Sequence, residues 1–191
     1  MRRLGRWIWI TLAILLCATV AAAALPRFAF ELLAPHAARR SSATLDDQLR
    51  KAIDAALAKS TPTSVDDALD FSLSVSDKLL HFGLHHQTSR AFVAAEREGN
   101  CIEYAELFAK VFEKAAQKGG LKARVFVIHS DKARVFGQKV PFRGWEDHDW
   151  VLIEDRTGPG DPRRLYVDPT MNDAGFGWDI SSNVKGEVKL P

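Results

Sequence analysis

Cys101 is the one cysteine outside an apolar N-terminal run, and its position suits a nucleophile. It follows a Gly-Asn pair in the stretch GNCIEYAELF and opens a predicted helix. The free N–H groups and the dipole at the start of a helix stabilise a thiolate. A cysteine nucleophile also needs a general base, and the base needs a group that orients it. The alternative is a buried, inert thiol, since free cysteine is among the most buried residue types.

The candidate base is His148, and the candidate group that orients it is Asp168. Residues 147–155 and 163–170 are predicted strands, and the sequence between them is rich in Gly, Pro and Asp, which is typical of a turn. If the strands pair as an antiparallel hairpin centred on Gly158, His148 faces Asp168. The sequence therefore predicts an imidazole beside a carboxylate. A histidine satisfied within the sheet and an aspartate that only caps a strand end are the alternatives.

The same register makes Trp150 face Tyr166, on the face of the hairpin that carries His148. Trp150 and Tyr166 are therefore the candidate substrate-binding residues. Gln87, upstream of the cysteine, is a further candidate for contact with substrate, as a hydrogen-bond donor to a developing oxyanion.

Helices are predicted ahead of these strands and must position the cysteine. Their approximate ranges are 45–59, 65–80, a short piece at 89–97, and the cysteine helix. Asn100 is a strong N-cap for the cysteine helix, and Glu103 completes a capping box. This helix ends at a Lys-Gly-Gly sequence, residues 118–120, and a further strand is predicted at 122–130. Helices followed by strands indicate an α+β fold, with a small antiparallel sheet packed on the central cysteine helix.

These pieces in order resemble the transglutaminase-like cysteine fold, which belongs to a papain-like superfamily. The family has Gly-x-Cys at a helix start, then His-x-Trp in a strand, then a strand that ends in Asp-Pro-Thr. In this sequence the three motifs are residues 99–101, 148–150 and 168–170. The resemblance covers about residues 65–172, and it implies a papain-like core.

The resemblance implies that Cys101 is the nucleophile, that His148 is the general base and acid, and that Asp168 holds the imidazole. The implied reaction is acyl transfer or hydrolysis on peptide or side-chain amides of a protein or peptide substrate, through a thioester. Whether water or an amine accepts the acyl group stays open. The chain lacks the added β-domains and acidic calcium-site runs of the large animal transglutaminases, so we expect no metal and no cofactor. The alternative is a non-catalytic member of the fold that binds peptides or supports an envelope complex.

Two features depart from simple expectations. Leu165 and Tyr166 stand where the family often has a tryptophan before its aspartate. His81 and His85 are one helical turn apart, as in some zinc sites. However, no glutamate lies between them in a zinc-protease pattern, and Gly83 weakens the helix. Zinc binding is therefore not expected.

The N-terminus predicts export and membrane attachment. Three arginines precede an uncharged apolar run at residues 7–25, which is long enough to cross a bilayer as a helix. We expect a signal-anchor with the domain on the periplasmic or extracellular side, or alternatively a cleaved signal peptide and a secreted protein. The predicted division is residues 1–25 as anchor or signal, 26–43 as linker, and 44–191 as one transglutaminase-like domain.

The charge of the chain excludes a nucleic-acid partner. The formal net charge is +2, but without the three N-terminal arginines 23 basic residues stand against 24 acidic ones. A nucleic-acid-binding domain requires a basic surface, and this balance does not provide one. The expected partners are therefore a protein or peptide substrate and the membrane through the N-terminal helix, and the protein is expected to be a monomer.

Overall fold

The computed structural model describes residues 30–33, 38–83, 98–130, 133–139 and 148–191. Within these ranges the protein has a mixed α+β fold, which confirms the predicted class. The helices are α1 (Asp47–Lys59), α2 (Val65–Leu79), α3 (Cys101–Gly119) and α4 (Pro169–Asp173). The strands are β1 (Phe30–Leu33), β2 (Ala38–Arg39), β3 (His81–Phe82), β4 (Glu98–Gly99), β5 (Ala123–Ser130), β6 (Ala133–Val135), β7 (Gln138–Lys139), β8 (His148–Asp155), β9 (Arg163–Val167) and β10 (Val184–Lys185).

A four-stranded antiparallel sheet in the order β2-β5-β8-β9 lies against α3. Its longest ladder pairs the whole of β5 with the whole of β8 and ends where Ser130 faces His148. Side chains alternate between the faces of a strand. Val127, Val151 and Val167 share one face and join the buried aromatic side chains of α3 in the main core. Burial of this apolar layer fixes α3, and therefore its first residue, against the sheet.

The other face of this sheet forms a second core. Phe126, Ile128 and Trp150 pack there with Leu32 of β1. Strand β1 belongs to a second sheet in the order β10-β1-β6-β7, in which β6 and β7 form a hairpin after β5. Strands β1 and β2 lie in the segment predicted as a linker, residues 26–43, and both pair with segments far away in the sequence.

The membrane prediction is corrected as well. The predicted span, residues 7–25, lies outside the described residues. Within the described ranges, no helix is both long and apolar enough to cross a membrane. The structure therefore gives no support to the predicted signal-anchor or transmembrane helix, and the membrane is not among the partners that we propose.

The helix starts follow their capping side chains. A capping box between Ser64 and Asp67 begins α2 at Val65, which is the predicted start of the range 65–80. Helix α1 begins two residues later than expected, because the side chain of Asp46, and not that of Thr44, accepts the N–H of Leu49 at 2.7 Å. The short helix predicted at 89–97 lies outside the described residues.

The strand predicted at 163–170 is too long at its C-terminal end. Strand β9 ends at Val167, and the next residues form the short helix α4. Asp168 is the N-cap of α4, and Pro169 takes its first position, where the missing N–H of proline costs no helical hydrogen bond. The change from strand to helix at this point decides where the Asp168 carboxylate lies.

Candidate active site

Cys101 is the first residue of α3, and a complete capping box fixes it there. The Asn100 side chain accepts the N–H of Ile102 at 2.9 Å, and the Glu103 carboxylate accepts the N–H of Asn100 at 3.0 Å. Among the described residues, Cys101 is the one cysteine; its thiol is free and half-buried. The helix start that the sequence predicts is therefore confirmed.

Gly99 is needed for this cap to form. A β-carbon on Gly99 would lie only 2.9 Å from the β-carbon of Glu103 and 3.4 Å from Leu80. The Glu103 side chain folds back toward the N-cap in this space. The glycine two residues before the cysteine therefore has a steric reason that is independent of any resemblance.

His148 and Asp168 form a tight pair. The distance from His148 Nε2 to Asp168 Oδ2 is 2.5 Å. His148 is the first residue of β8, and its side chain is 14% exposed, whereas Asp168 is fully buried. The other Asp168 oxygen accepts the N–H of Met171 at 3.0 Å, and the Asp168 N–H donates to the Trp178 carbonyl at 2.8 Å. The carboxylate is therefore held by its own helix as well as by the imidazole.

The hairpin register predicted from the sequence is wrong by two residues, although the contact between His148 and Asp168 still forms. Strands β8 and β9 place Tyr166 opposite Leu152, not opposite Trp150. The turn is thus centred one residue later than Gly158, which shifts each facing position by two residues. A shift of two keeps every side chain on its face of the sheet. Asp168 lies just beyond the ladder, which ends at Val167, and as the N-cap of α4 it places its carboxylate against His148.

Cys101 lies close enough to His148 to influence the pKa of its imidazole. Burial is the largest single influence on the pKa of His148 and lowers it. The charge and hydrogen bond of Asp168, followed by the hydrogen bond and charge of Cys101, outweigh burial and raise that pKa well above its ordinary value. The site therefore favours an imidazolium between a carboxylate and a sulfur.

The predicted substrate-binding residues lie in different surroundings. Trp150 is fully buried, and its indole N–H donates to Ser130 Oγ at 2.9 Å. It packs in the second core, and its contact with substrate stays a prediction. Tyr166 is half-buried and packs on Trp150 with ring centroids 5.6 Å apart, so its role stays a prediction. Gln87 lies outside the described residues.

A second histidine–aspartate pair lies on the same sheet but belongs to a structural network. His129 Nδ1 is 2.6 Å from Asp149 Oδ1, and Asp149 also binds Arg39 at 3.0 Å. Arg39 in turn pairs with Glu106, in the second turn of α3. No local sequence pattern predicts this network, because its members are far apart in the chain.

A cavity of about 420 Å³ opens between α2 and α4. Asp77, Asn172 and Trp178 are among the residues in its wall. Asp168 follows β9 and precedes Asn172 by about one helical turn, so the cavity lies close to the histidine–aspartate pair along the chain. Cys101, His148 and Asp168 are not among the residues that line it.

The comparisons leave the family of this chain open. No family model matches the sequence, and no curated protein is significantly similar to it. The transglutaminase-like resemblance therefore rests on the motifs and on the geometry described above.

Proposed function

We propose that the protein is a cysteine-dependent enzyme with a transglutaminase-like, papain-like core, which transfers or hydrolyses acyl groups of peptide or side-chain amides. One observation carries the proposal: His148 pairs with the buried Asp168 at 2.5 Å and lies close enough to Cys101, at the start of a helix, for both groups to raise its pKa. A thiolate nucleophile, a histidine that moves protons and a carboxylate that orients the histidine are the parts this chemistry requires.

In the first half-reaction the Cys101 thiolate attacks the carbonyl carbon of the amide. A C–S bond forms, and the carbonyl oxygen takes the negative charge. When the tetrahedral intermediate collapses, the C–N bond breaks, and the His148 imidazolium gives its proton to the leaving amine. The raised pKa of His148, caused by Asp168 and by Cys101 against the effect of burial, keeps that proton available at neutral pH.

In the second half-reaction neutral His148 takes a proton from water or from an acceptor amine, which attacks the thioester. The C–S bond breaks, and the thiolate and the imidazolium are restored. Asp168 stays ionised and keeps the ring in place through Nε2.

The start of α3 also offers a donor for the oxyanion. The Asn100 side chain accepts N–H groups of the first turn, including that of Ile102, and the Tyr104 N–H donates to the Asn100 carbonyl. The N–H of Cys101 has no partner inside the helix. It lies at the nucleophile itself, where a donor for the developing charge is needed.

Acylation by p-nitrophenyl acetate tests the proposal without knowledge of the natural substrate. We expect a burst of one p-nitrophenolate per protein and a hydroxylamine-sensitive acetyl group on Cys101, located by peptide mass spectrometry. Cys101→Ser should lose the thioester, and His148→Ala should slow the burst by a factor on the order of 10². His129→Ala is the control, because it removes the histidine of the separate His129–Asp149 pair, and it should leave the burst unchanged.

Deacylation in water and in the presence of a primary amine then separates hydrolysis from transamidation. A faster loss of the acetyl group to the amine, with formation of the acetamide, identifies an acyltransferase. The proposal is refuted if Cys101 is not acylated. It is also refuted if His148→Ala keeps the wild-type rate of acylation, as His129→Ala is expected to do.

A further inference from the structure

The end of α4 is anchored by two side-chain contacts. The Tyr104 hydroxyl of α3 donates to Asp173 Oδ2 at 2.7 Å. The Asn172 side chain donates to Asp77 Oδ2 of α2 at 2.8 Å. Helix α4 has five residues, and isolated helices of that length are unstable in water. The position of its first turn therefore depends on what holds its last.

Tyr104 is placed to transmit position between the nucleophile and the carboxylate. It is fully buried and lies one helical turn after Cys101 on α3. Burial foremost, and then the hydrogen bond and charge of Asp173, raise the pKa of Tyr104 far above its ordinary value. The hydroxyl therefore stays a donor at every pH at which the protein is studied, and its bond to Asp173 persists.

We propose that Tyr104 is a positioning residue for the triad: through Asp173 its hydroxyl holds α4, and so holds the Asp168 carboxylate against His148. The inference rests on the proposed function. These contacts connect the site residues in a ring. Helix α3 carries both Cys101 and Tyr104, and helix α4 directly follows Asp168 and ends with Asp173. Tyr104 contacts Asp173, and His148 lies between Asp168 and Cys101.

A second carboxyl group beside Asp173 makes this tether sensitive to pH. Burial first, and then the charge of Asp173, raise the pKa of Asp77 to about 6, although the Asn172 hydrogen bond lowers it. The charged groups of α2 that line the same cavity are Asp70 and Lys78.

As the pH rises through 6, Asp77 becomes charged and repels Asp173. The Tyr104 hydroxyl donates to Asp173 and opposes the separation of the two carboxylates. Its loss should therefore matter more at pH 7 than at pH 5.

The test is the rate of Cys101 alkylation by iodoacetamide between pH 5 and pH 7, measured on the full chain by peptide mass spectrometry. Tyr104→Phe should slow alkylation at pH 7 by a factor of about three to ten, with a smaller effect at pH 5. Asp173→Ala should behave alike, and the double variant should be no slower than the slower single variant within about twofold. Asp173→Asn keeps an acceptor oxygen and should restore most of the rate.

Val111→Ala is the control for lost packing, since it trims α3 two turns further on without removing a polar contact. It should lower stability and leave the alkylation profile unchanged. The inference is overturned if both Tyr104→Phe and Asp173→Ala are alkylated at the wild-type rate, or if their effect equals that of Val111→Ala. Either result leaves the proposed function intact. Wild-type protein without rapid, His148-dependent alkylation overturns the proposed function and the inference with it. If Tyr104→Phe does not fold, the half-buried Asp173 variants decide the question.

Discussion

Replacing Glu106 by alanine should destabilise the fold by about 3–5 kcal/mol, although this residue is not part of the proposed chemistry. Glu106 is a fully buried carboxylate on α3. It pairs with Arg39 and accepts hydrogen bonds from Ser41 Oγ at 2.5 Å and from the N–H groups of Ser42 at 3.0 Å and Ala43 at 3.2 Å. The Glu106 carboxylate thus accepts hydrogen bonds from residues 41–43, the segment that follows β2.

The magnitude follows from what the substitution leaves behind. The Ser41 hydroxyl and the Ala43 N–H are buried and would keep only longer hydrogen bonds, to the Glu106 carbonyl and to Ser41 Oγ at 3.3 Å each, so each loses part of the about 1–3 kcal/mol that an unsatisfied buried donor costs. Arg39 is 29% exposed and keeps Asp149, so its lost partner adds less than a fully buried charge would. Together these terms reach the lower to middle part of the range for a broken buried ion pair.

Equilibrium unfolding in urea, followed by circular dichroism, measures the change. Glu113→Ala is the matched control, because Glu113 lies on the same helix, is 34% exposed and pairs only with Lys110 at 3.4 Å and Arg40 at 3.9 Å. It should cost less than about 1 kcal/mol. A loss for Glu106→Ala that is no larger than the loss for Glu113→Ala would refute the assigned role of the carboxylate.

Three further predictions concern the site. Asp168→Asn should slow acylation of Cys101 by p-nitrophenyl acetate by a factor on the order of 10², and a change below twofold would contradict the orienting role. The raised pKa of His148 means that the folded state binds this proton more tightly. The resulting stability is fully present below about pH 6.5 and is lost as pH rises through the raised value. The stability advantage of wild type over His148→Ala in urea should therefore shrink from pH 6 to pH 9, and an advantage that grows would contradict it. Gly99→Ala should cost about 1–3 kcal/mol, because its β-carbon would meet another side chain at 2.9 Å, whereas Gly158→Ala has open space and should be neutral in the same assay.

The start of the cysteine helix is predictable from sequence because its signals are local. Asn100 and Glu103 are three residues apart, and a capping box needs nothing beyond that turn. The closeness of His148 and Asp168 is also predictable, since a hairpin brings the start of β8 and the end of β9 to the same end of the sheet. The exact residue pairing between β8 and β9 is not predictable, because a turn rich in Gly, Pro and Asp can be centred on more than one residue.

Other features depend on partners distant in the sequence. Strands β1 and β2 lie in a segment that reads as a linker, since their partners are β6 and β5. The tether from Tyr104 to Asp173 spans 69 residues and has no pattern of its own. Helix α4 does have a local signal, since Asp168 followed by Pro169 is a typical N-cap and first helical position. The strand pattern of the residues just before Asp168 obscures that signal.

The most direct test of the central claim is the pH profile of Cys101 alkylation by iodoacetamide in wild type, His148→Ala and His129→Ala. Peptide mass spectrometry assigns the label to Cys101 and separates it from Cys17. The thiolate–imidazolium pair predicts rapid alkylation well below pH 8 in wild type and in His129→Ala, and loss of that low-pH reactivity in His148→Ala. Slow alkylation with the profile of an ordinary thiol, identical in all three proteins, would contradict the claim that Cys101 is a nucleophile activated by His148.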